Sequence, residues 1–245
     1  MANSVTQQAS AKNPAMKLVQ TKDISARKTP KVNQQGQRLG PKGHQTRERL
    51  VNAVQLLLSK RKLRDLKQSD IFRVAQVSAS SFYIYFADTE SLVREAIARN
   101  QVLPHELDTL LREAWEPENL FEKARKFVCL YLEHWNDNYH LFKVRNLSSD
   151  EGDIKMIELR MSSQVPILEQ IAAKILGNRS ATQKPFPSPL AGAAIVLSSL
   201  ERLGPTLRFG IGAAPREDMS NNDIIDAEAW VLTHLIANGS TNVTQ

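Results

Sequence analysis

Short hydroxyl side chains and one tyrosine begin a predicted helix in the first half of the chain, and their chemistry is the easiest to interpret. The run consists of Ser78, Ala79, Ser80, Ser81 and, a little further on, Tyr83. Side chains this small let a helix tip enter the major groove of DNA, whereas a bulky charged residue would keep it out. Hydroxyls also bond phosphate oxygens. The run therefore predicts a helix that contacts nucleic acid.

Other reactive arrangements are missing from the sequence. It contains no H-E-x-x-H, G-x-S-x-G or phosphate-loop motif, and the histidines after residue 100 lack paired metal-ligand spacing. The single cysteine, Cys129, excludes an internal disulfide and a cysteine-based metal centre. We therefore predict a protein that is not an enzyme and that needs no cofactor and no metal.

Basic charge is concentrated at the N-terminal end of the chain. Residues 1–45 hold eight Lys and Arg against one acid, and residues 46–100 hold ten against six. The remaining residues hold 14 Lys and Arg against 19 acids. A basic N-terminal region joined to a mildly acidic remainder indicates a module that binds a polyanion, joined to a part with another task.

Two short helices joined by a tight turn must position the hydroxyl run. The apolar spacing predicts one helix at about 69–76, and Ser78 is a favourable N-cap for the next. In that second helix, Phe82 and Phe86 are expected in the core, whereas Tyr83 and Tyr85 are expected at phosphates. An amphipathic helix beginning near Thr46 precedes the pair. This is the spacing of a helix-turn-helix.

The rest of the chain alternates helical periods with helix breakers, and the fold class predicted is all-α. Asp88 or Thr89 should cap a fourth helix that Pro104 interrupts or ends. Further helices are predicted at about 117–135, 139–149, 153–177, 189–209 and 221–237. The longest uncharged run that is mainly apolar, residues 189–200, is too short for a membrane span, which needs about 20 apolar residues. No apolar block of a secretory signal begins the chain, so we expect a cytoplasmic protein with no membrane partner.

The helix-turn-helix region resembles the TetR family of transcriptional regulators, whose pattern is roughly I-A-x-x-A-G-V-S-x-x-x-L/F-Y-x-Y/H-F-x-x-K-x-x-L. The matching positions are Ile71, Ala75, Val77, Ser78, Phe82, Tyr83, Tyr85, Phe86 and Leu92. The resemblance implies an N-terminal three-helix DNA-binding domain followed by a helical ligand-binding and dimerisation domain. It places DNA contacts at Thr46, Gln68, Ser69, Ser78, Ala79, Ser80, Ser81, Tyr83, Tyr85 and Thr89.

The chain departs from that pattern at four positions. Gln76 stands at the turn glycine, so a residue with a side chain must adopt the left-handed conformation. Lys62 replaces another glycine, and Lys67 replaces a capping threonine, which leaves Asp65 or Ser69 as substitute caps. Thr89 replaces a lysine that grips a phosphate in relatives, so we expect that contact to be weaker.

On this interpretation the chain divides into four parts. Residues 1–42 are expected to be a disordered basic arm, because a polar segment without apolar periodicity cannot offset its ordering entropy. Residues 43–90 form the TetR-type DNA-binding domain, residues 91–238 the effector-binding and dimerisation domain, and residues 239–245 a flexible tail. The arm is either an inert leader or a source of phosphate contacts.

The second domain is expected to bind a small effector and to dimerise. Aromatic and soft side chains at helical spacing predict a mostly apolar ligand cavity lined by Phe127, Tyr131, Trp135, Phe142 and Met156. The last two helices carry small and apolar residues that predict a dimer interface at Ala194, Leu197, Glu201, Ile225, Ala229, Leu232 and Ile236. The function predicted is a dimeric repressor that an effector releases from a palindromic operator. The alternative is an architectural or partner-recruiting DNA-binding protein without a ligand.

Overall fold

The computed structural model of the chain describes residues 32–177, 188–209 and 220–237, and this part of the chain is all-α as predicted. No strand occurs in these ranges, where the β-type pairing is an isolated bridge between Val32 and Arg38. The described helices are α1 (Pro41–Leu58), α2 (Gln68–Ala75), α3 (Ala79–Tyr85), α4 (Thr89–Asn100), α5 (His105–Arg112), α6 (Leu120–Asp137), α7 (Tyr139–Asp150), α8 (Ile154–Gly177), α9 (Pro189–Phe209) and α10 (Asn221–Ala237). Short 3-10 turns, Leu63–Asp65 and Pro117–Asn119, precede α2 and α6. None of the helices described is both long and apolar enough to cross a bilayer.

The first three helices pack around a small apolar core, and their turn has the strain that the sequence predicts. Leu50, Ile71 and Phe82 are fully buried, and Phe86 is 1% exposed. Gln76 lies between α2 and α3 with φ 54° and ψ 48°, in the left-handed region. A residue other than glycine costs some conformational energy there. The sharp turn that it makes is what brings α3 across α2.

The fourth helix begins directly after α3 and ends before Pro104. Its start is a capping box, in which the Asp88 carboxylate accepts the Ser91 N–H at 2.6 Å and the Ser91 hydroxyl accepts the Asp88 N–H. Pro104 does not interrupt α4. It is the N-cap of α5, a separate helix that the sequence did not distinguish. A proline suits this place because the N–H that it lacks has no partner at a helix start.

The six later helices form the body of the protein, and their predicted spans are confirmed for α8, α9 and α10. In the body α6 packs on α9 and α10, and α8 packs on α7 and α9. Phe127 and Trp135 are buried along α6, while Arg145 on α7 pairs with Glu201 on α9 in the interior. The end of α4 is joined to this body, because the Gln101 amide donates a hydrogen bond to the Ser162 hydroxyl on α8 at 3.2 Å.

The prediction that a disordered arm extends to residue 42 is wrong for residues 32–42. Residues 41 and 42 begin α1, and residues 32–38 form a turn in which the Asn33 carboxamide oxygen accepts two backbone N–H groups. Gln34 ties this turn to the end of α3, since its N–H donates to the Ile84 carbonyl at 2.9 Å and its amide donates to the Tyr85 carbonyl at 3.2 Å. These long-range bonds hold a polar segment that has no apolar pattern of its own. The expectation for residues 1–31 lies outside the described residues, as does that for the tail at 239–245.

Candidate nucleic-acid interface

The N-terminal tip of α3 presents the small side chains that the sequence singled out. The Ser78 hydroxyl caps the helix by accepting the Ser81 N–H at 3.2 Å, and it also donates to the Ser81 hydroxyl at 2.9 Å. Its other neighbour is the Ser80 hydroxyl at 3.0 Å. Ala79 and Ser80 are exposed, with no side chain of the domain covering them. Ser78 therefore serves first as a cap, and the surface open to another molecule is Ala79 and Ser80.

Tyr83 lies one turn further along α3 and faces solvent. Its side chain is 49% exposed, and its ring packs edge-on against Phe82 with centroids 5.3 Å apart. The phenol hydroxyl donates a hydrogen bond to the Gln68 amide oxygen at 3.1 Å. Gln68 is the first residue of α2 and is followed by exposed Ser69. The fold therefore brings Gln68, Ser69 and Tyr83 together on one surface beside the tip of α3.

Tyr85 has a different place from Tyr83. Its side chain is half-buried against the core, and its hydroxyl lies next to Gly43, where an added Cβ would be 3.6 Å away. Its carbonyl accepts hydrogen bonds from Arg47 at 3.0 Å and from Gln34 at 3.2 Å. Tyr85 thus holds the last turn of α3 against α1 and against the turn formed by residues 32–38.

A stripe on α1 carries basic residues that the sequence-based assignment missed. Lys42, Thr46 and Arg49 lie at positions i, i+4 and i+7, which share one helix face. Thr46 donates its hydroxyl to the Lys42 carbonyl at 2.9 Å, while the Arg49 guanidinium reaches the Thr46 hydroxyl and the Gln76 carbonyl, both at 3.4 Å. The spacing of Lys42 and Arg49 around Thr46 could have identified both cations from the sequence, but the family resemblance assigned a DNA contact to Thr46 alone.

Ion pairing among the described residues of the domain leaves the cations of that stripe without an acidic partner. Many other basic side chains of residues 46–100 are paired, and these pairs are Arg47–Glu95, Arg99–Glu48, Arg99–Glu95, Arg61–Asp70, Arg73–Asp70 and Arg94–Glu90. The Arg73 guanidinium, 2.7 Å from Asp70, holds the pKa of that carboxyl below its ordinary value. No acid in the described ranges pairs with Lys42, Arg49 or Lys67. Positive potential therefore concentrates beside Thr46 and at the start of α2.

One expectation about a helix start is wrong, and the start of α4 bears on the predicted weak phosphate contact at Thr89. The N-cap of α2 is Lys67, whose side chain makes no capping bond, and neither Asp65 nor Ser69 replaces the missing threonine. Thr89 is the half-buried first residue of α4, next to Asp88. The hydrogen bond from the Ser91 backbone lowers the pKa of Asp88, so a phosphate at Thr89 would meet a neighbouring negative charge.

The five residues predicted to line an effector cavity are all buried in the body, but their surroundings are not purely apolar. Phe127 is fully buried, and Tyr131, Trp135, Phe142 and Met156 are between 1% and 4% exposed. A buried ion pair lies among them, and it consists of Arg145 and Glu201 with N–O distances of 2.9 and 3.2 Å. A charged pair on α7 and α9 therefore lies among the side chains for which the sequence predicts a mostly apolar cavity, and the cavity stays a prediction.

Tyr131 and Glu201 are strongly coupled within this cluster. The Tyr131 hydroxyl donates to the Glu201 carboxylate at 2.5 Å, and the Asn146 amide donates at 2.7 Å. Burial, and then the adjacent carboxylate, raise the pKa of Tyr131 well above its usual value. Burial alone would raise the pKa of Glu201, but Arg145 and the donated hydrogen bonds hold it below the ordinary value. Tyr131 stays a neutral donor and Glu201 stays charged at neutral pH.

Trp135 has an unusual environment in the same region. Its indole N–H is buried and has no hydrogen-bond partner among the described residues. Its ring also lies so close to α9 that a Cβ added at Gly204 would stand 2.6 Å from the ring. The glycine is thus required for α9 to cross α6 at this distance, and the ring leaves one buried polar group unsatisfied.

The predicted dimer residues mostly face the interior of the protomer. Glu201 is held by Arg145, and Leu197, Ala229, Leu232 and Ile236 are at most 2% exposed. That set is therefore wrong as an interface, because these side chains are already buried within one chain. Ala194 and Ile225 are half-buried. The outward faces of α9 and α10 instead expose large apolar side chains, namely Leu190, Ile195, Trp230 and Val231 at 44% to 69% exposure.

In the described part of the chain, no group of three or more His, Cys, Asp or Glu residues could hold a metal ion. No family model matches the sequence, and no curated protein matches it either. Solved structures do match the fold. The chain is similar to the fatty acid degradation regulator FadR from Bacillus halodurans, with 15% identity, a TM-score of 0.51, and coverage of 82% of this chain and 97% of that one. It is also similar to SCO3833, a TetR-family member from Streptomyces coelicolor A3, with 16% identity, a TM-score of 0.44, and coverage of 85% and 96%.

These similarities concern the fold. At 15% identity the match to FadR extends over nearly all of that regulator and over 82% of this chain. The all-α fold that the sequence predicts is thus shared with a solved regulator structure, in agreement with the resemblance found in the sequence.

Proposed function

We propose that the chain is a DNA-binding regulator of transcription that places α3 in the major groove. The observation that carries this proposal is the exposed tip of α3, with Ala79, Ser80 and Tyr83. Beside it lie the α1 cations Lys42 and Arg49, with which no acid of the described residues pairs. Small side chains at the tip admit the helix to the groove, and Tyr83 can reach a base edge or a phosphate. Lys42 and Arg49 would neutralise phosphates on the flanking backbone.

Sequence choice by this surface would depend on few direct base contacts. The tip of α3 has no Arg, Asn or Gln, the residues that make bidentate bonds to a base. Ala79 offers a methyl group to thymine, and the hydroxyl of Ser80 can accept from or donate to either kind of base. The remaining specificity would come from the shape and deformability of the site.

A homodimer is the second part of the proposal. One short helix reads few bases, and a two-fold dimer would double the site and make it palindromic. Large apolar side chains exposed on α9 and α10, which include Ile195 at 69% and Trp230 at 55%, are typical of a protein–protein interface. Two copies of this helix pair would build a four-helix bundle, as TetR-like dimers are expected to do.

The third part is release of the operator by a small effector bound in the body. Movement of α4 could transmit that binding, because α4 begins beside α3 and contacts α8 through Gln101 and Ser162. On the same helix, Glu95 holds Arg47, which in turn bonds the last turn of α3. An effector that favours another placement of α4 would thereby shift the two recognition helices of a dimer off their spacing.

The indole N–H of Trp135, which has no partner within the described part of the chain, supports a ligand in this part of the body. Leaving a buried donor without a partner costs about 1–3 kcal/mol, and a ligand with one acceptor group would remove that penalty. Such an effector would be apolar over most of its surface, to suit Phe127 and Phe142, with an acceptor for the indole. The architectural alternative, without any ligand, has no comparable observation in its favour.

Binding to selected DNA tests the proposal as a whole. The wild type should bind sequences enriched from a random duplex pool with an affinity about a thousandfold or more above that for unselected DNA. Tyr83→Ala should lose most of that preference, whereas Phe121→Ala, which truncates an aromatic of similar exposure on α6, should keep it. A protein that enriches no sequence would contradict the proposal.

A further inference from the structure

A cavity of about 700 Å³ lies at the junction between the DNA-binding helices and the body, and the function proposed above does not use it. One wall is the end of α1 and the loop after it, residues 58–64. The opposite wall is α7, from Tyr139 to Glu151. Its volume is within the range of small-molecule sites, about 300–1,000 Å³. The junction therefore has space for a ligand that would touch both parts of the protein.

The rim of this cavity is strongly basic. The loop contributes Lys60, Lys62 and Arg64 to the lining, and α7 contributes Lys143. Against these cations the lining holds one acid, Glu151. None of the three lysines forms an ion pair with an acid of the described ranges, and the pair of Arg64 with Asp65 is long, at 3.9 Å, and exposed. Cations facing each other across a cleft raise the local positive potential and attract an anion.

A titratable neighbour is affected by the same positive surroundings. His140 lies on the α7 wall, and its pKa is lowered from the ordinary value by burial first and then by Arg208 and Lys143. Arg208 comes from α9 and stacks on the Tyr139 ring at 4.8 Å. The α7 wall therefore disfavours another positive charge, as expected beside a site for a negative group.

The floor of the cavity is apolar. Leu58 and Leu63 contribute from the first wall, and Val144 and Leu147 contribute from α7. Leu147 is 53% exposed, which is unusual for a large apolar side chain with no described partner covering it. A bare inorganic anion would leave this floor wet, whereas a ligand with a carbon skeleton would cover it.

The position of the cavity argues against its being a further contact for the DNA backbone. The proposed phosphate stripe on α1 is centred on Thr46, while the cavity begins at Leu58, the last residue of that helix. Twelve residues of α-helix separate them by about 18 Å. The lining of the cavity also includes residues of α7 in the body and no residue of α3.

We propose that the cavity between α1 and α7 binds a small phosphate ester, whose phosphate contacts Lys60, Lys62 and Lys143 and whose carbon part lies on Leu58, Leu63, Val144 and Leu147. Lysine ammonium groups bind phosphate oxygens by charge-assisted hydrogen bonds. A ligand held by both walls stabilises one placement of α1 relative to α7. It would thus set the position of the DNA-binding helices through a site separate from the interior of the body.

Titration calorimetry with the full chain and two matched pairs of probes tests this. The pairs are ADP with adenosine and hexyl phosphate with hexanol, and the two members of each pair differ only in the phosphate. Inorganic pyrophosphate is the probe without a carbon part. At least one phosphate ester should bind about tenfold or more tightly than its neutral partner and more tightly than pyrophosphate. Lys143→Gln and Lys62→Gln should each weaken that ester by about tenfold, since each removes one charge-assisted bond.

Lys126→Gln, which changes an exposed lysine on α6 outside the cavity, should leave the affinity unchanged. All three lysines are exposed, so the unfolding midpoints should match the wild type. The proposal is overturned if neither ester exceeds its neutral partner, or if the cavity variants bind the ester as the wild type does. It is also overturned if Lys143→Gln instead lowers affinity for duplex DNA and its salt dependence, because the cavity would then be a DNA contact.

Discussion

The guanidinium of Arg47 on α1 donates a hydrogen bond to the carbonyl oxygen of Tyr85, the last residue of α3, at 3.0 Å. The same side chain pairs with Glu95 on α4 and lies over the Phe86 ring, 4.4 Å from its centroid. One buried cation thereby holds three helices in register. This arrangement explains how a recognition helix of only seven residues can have a fixed orientation.

Removing this cation should destabilise the DNA-binding helices. Arg47→Ala removes one donor from the Glu95 carboxylate and one from the Tyr85 carbonyl, which keep Arg99 and Gln34 as partners, so the loss should cost about 1.5–3 kcal/mol, as for hydrogen bonds to charged groups. We expect a corresponding fall in the free energy of unfolding, measured by denaturant titration. Arg112→Ala, which breaks an exposed pair on α5, serves as the control and should leave it nearly unchanged.

Truncation of Tyr83 should affect DNA binding and not folding. Tyr83→Ala removes a half-exposed ring and should weaken binding to selected DNA by about 10- to 100-fold, the effect of one good contact. Tyr83→Phe keeps the ring and loses the hydroxyl, so its affinity for selected DNA should lie between those of the wild type and Tyr83→Ala. Fluorescence anisotropy measures both. Equal affinity of wild type and Tyr83→Ala would remove Tyr83 from the interface.

The basic stripe on α1 should be visible in the salt dependence of DNA binding. Lys42→Gln and Arg49→Gln should each reduce the slope of log affinity against log salt by about 0.9, whatever the DNA sequence. Lys126→Gln on α6 is the matched change outside the stripe and should not alter the slope. A stripe variant with the wild-type slope would place that residue off the phosphate backbone.

Gly204 should tolerate no larger residue. Gly204→Ala places a Cβ 2.6 Å from the Trp135 ring, and the resulting shift of packed helices should cost about 1–3 kcal/mol. Gly177→Ala is the matched control, because an added Cβ there meets nothing within 4 Å. Thermal unfolding compares the two. A Gly204→Ala protein as stable as wild type would mean that α9 and α6 do not approach this closely.

Dimerisation should depend on the outward faces of α9 and α10. The double change of Ile195→Asp and Trp230→Asp puts charges into the exposed apolar patch and should give a monomer in sedimentation equilibrium. Leu56→Asp, at an exposed leucine on α1, should leave the dimer intact. A monomeric wild type would contradict the dimer itself, and a dimeric double variant would place the interface elsewhere.

The sequence predicted turns and helix caps better than it predicted which apolar side chains are buried within one protomer. The turn at Gln76 and the cap at Ser78 depend on neighbouring residues, so the pattern of residues 69–86 was sufficient for both. The apolar faces of α9 and α10 were recognised as well, but Leu232 and Ile236 pack inside the protomer. Helical periodicity shows which face is apolar and does not show whether its partner belongs to the same chain.

Contacts between distant residues account for the other differences. Arg145 and Glu201 are far apart in sequence, and a charged residue is expected outside until a buried partner is known. Residues 32–40 have no apolar pattern, and their order comes from Gln34 bonding to the end of α3. Neither contact leaves a signal in the local sequence.

Footprinting on selected DNA tests the central proposal, a two-fold dimer with α3 in the major groove, most directly. The wild type should protect two inverted half-sites whose centres are about 34 Å apart, or a greater whole number of turns, on the same face of the duplex. Methylation of guanine N7, which lies in the major groove, should be blocked within each half-site, and Tyr83→Ala should lose this protection at equal protein concentration. A single unrepeated half-site protected by a monomer, or protection confined to the minor groove, would contradict the account.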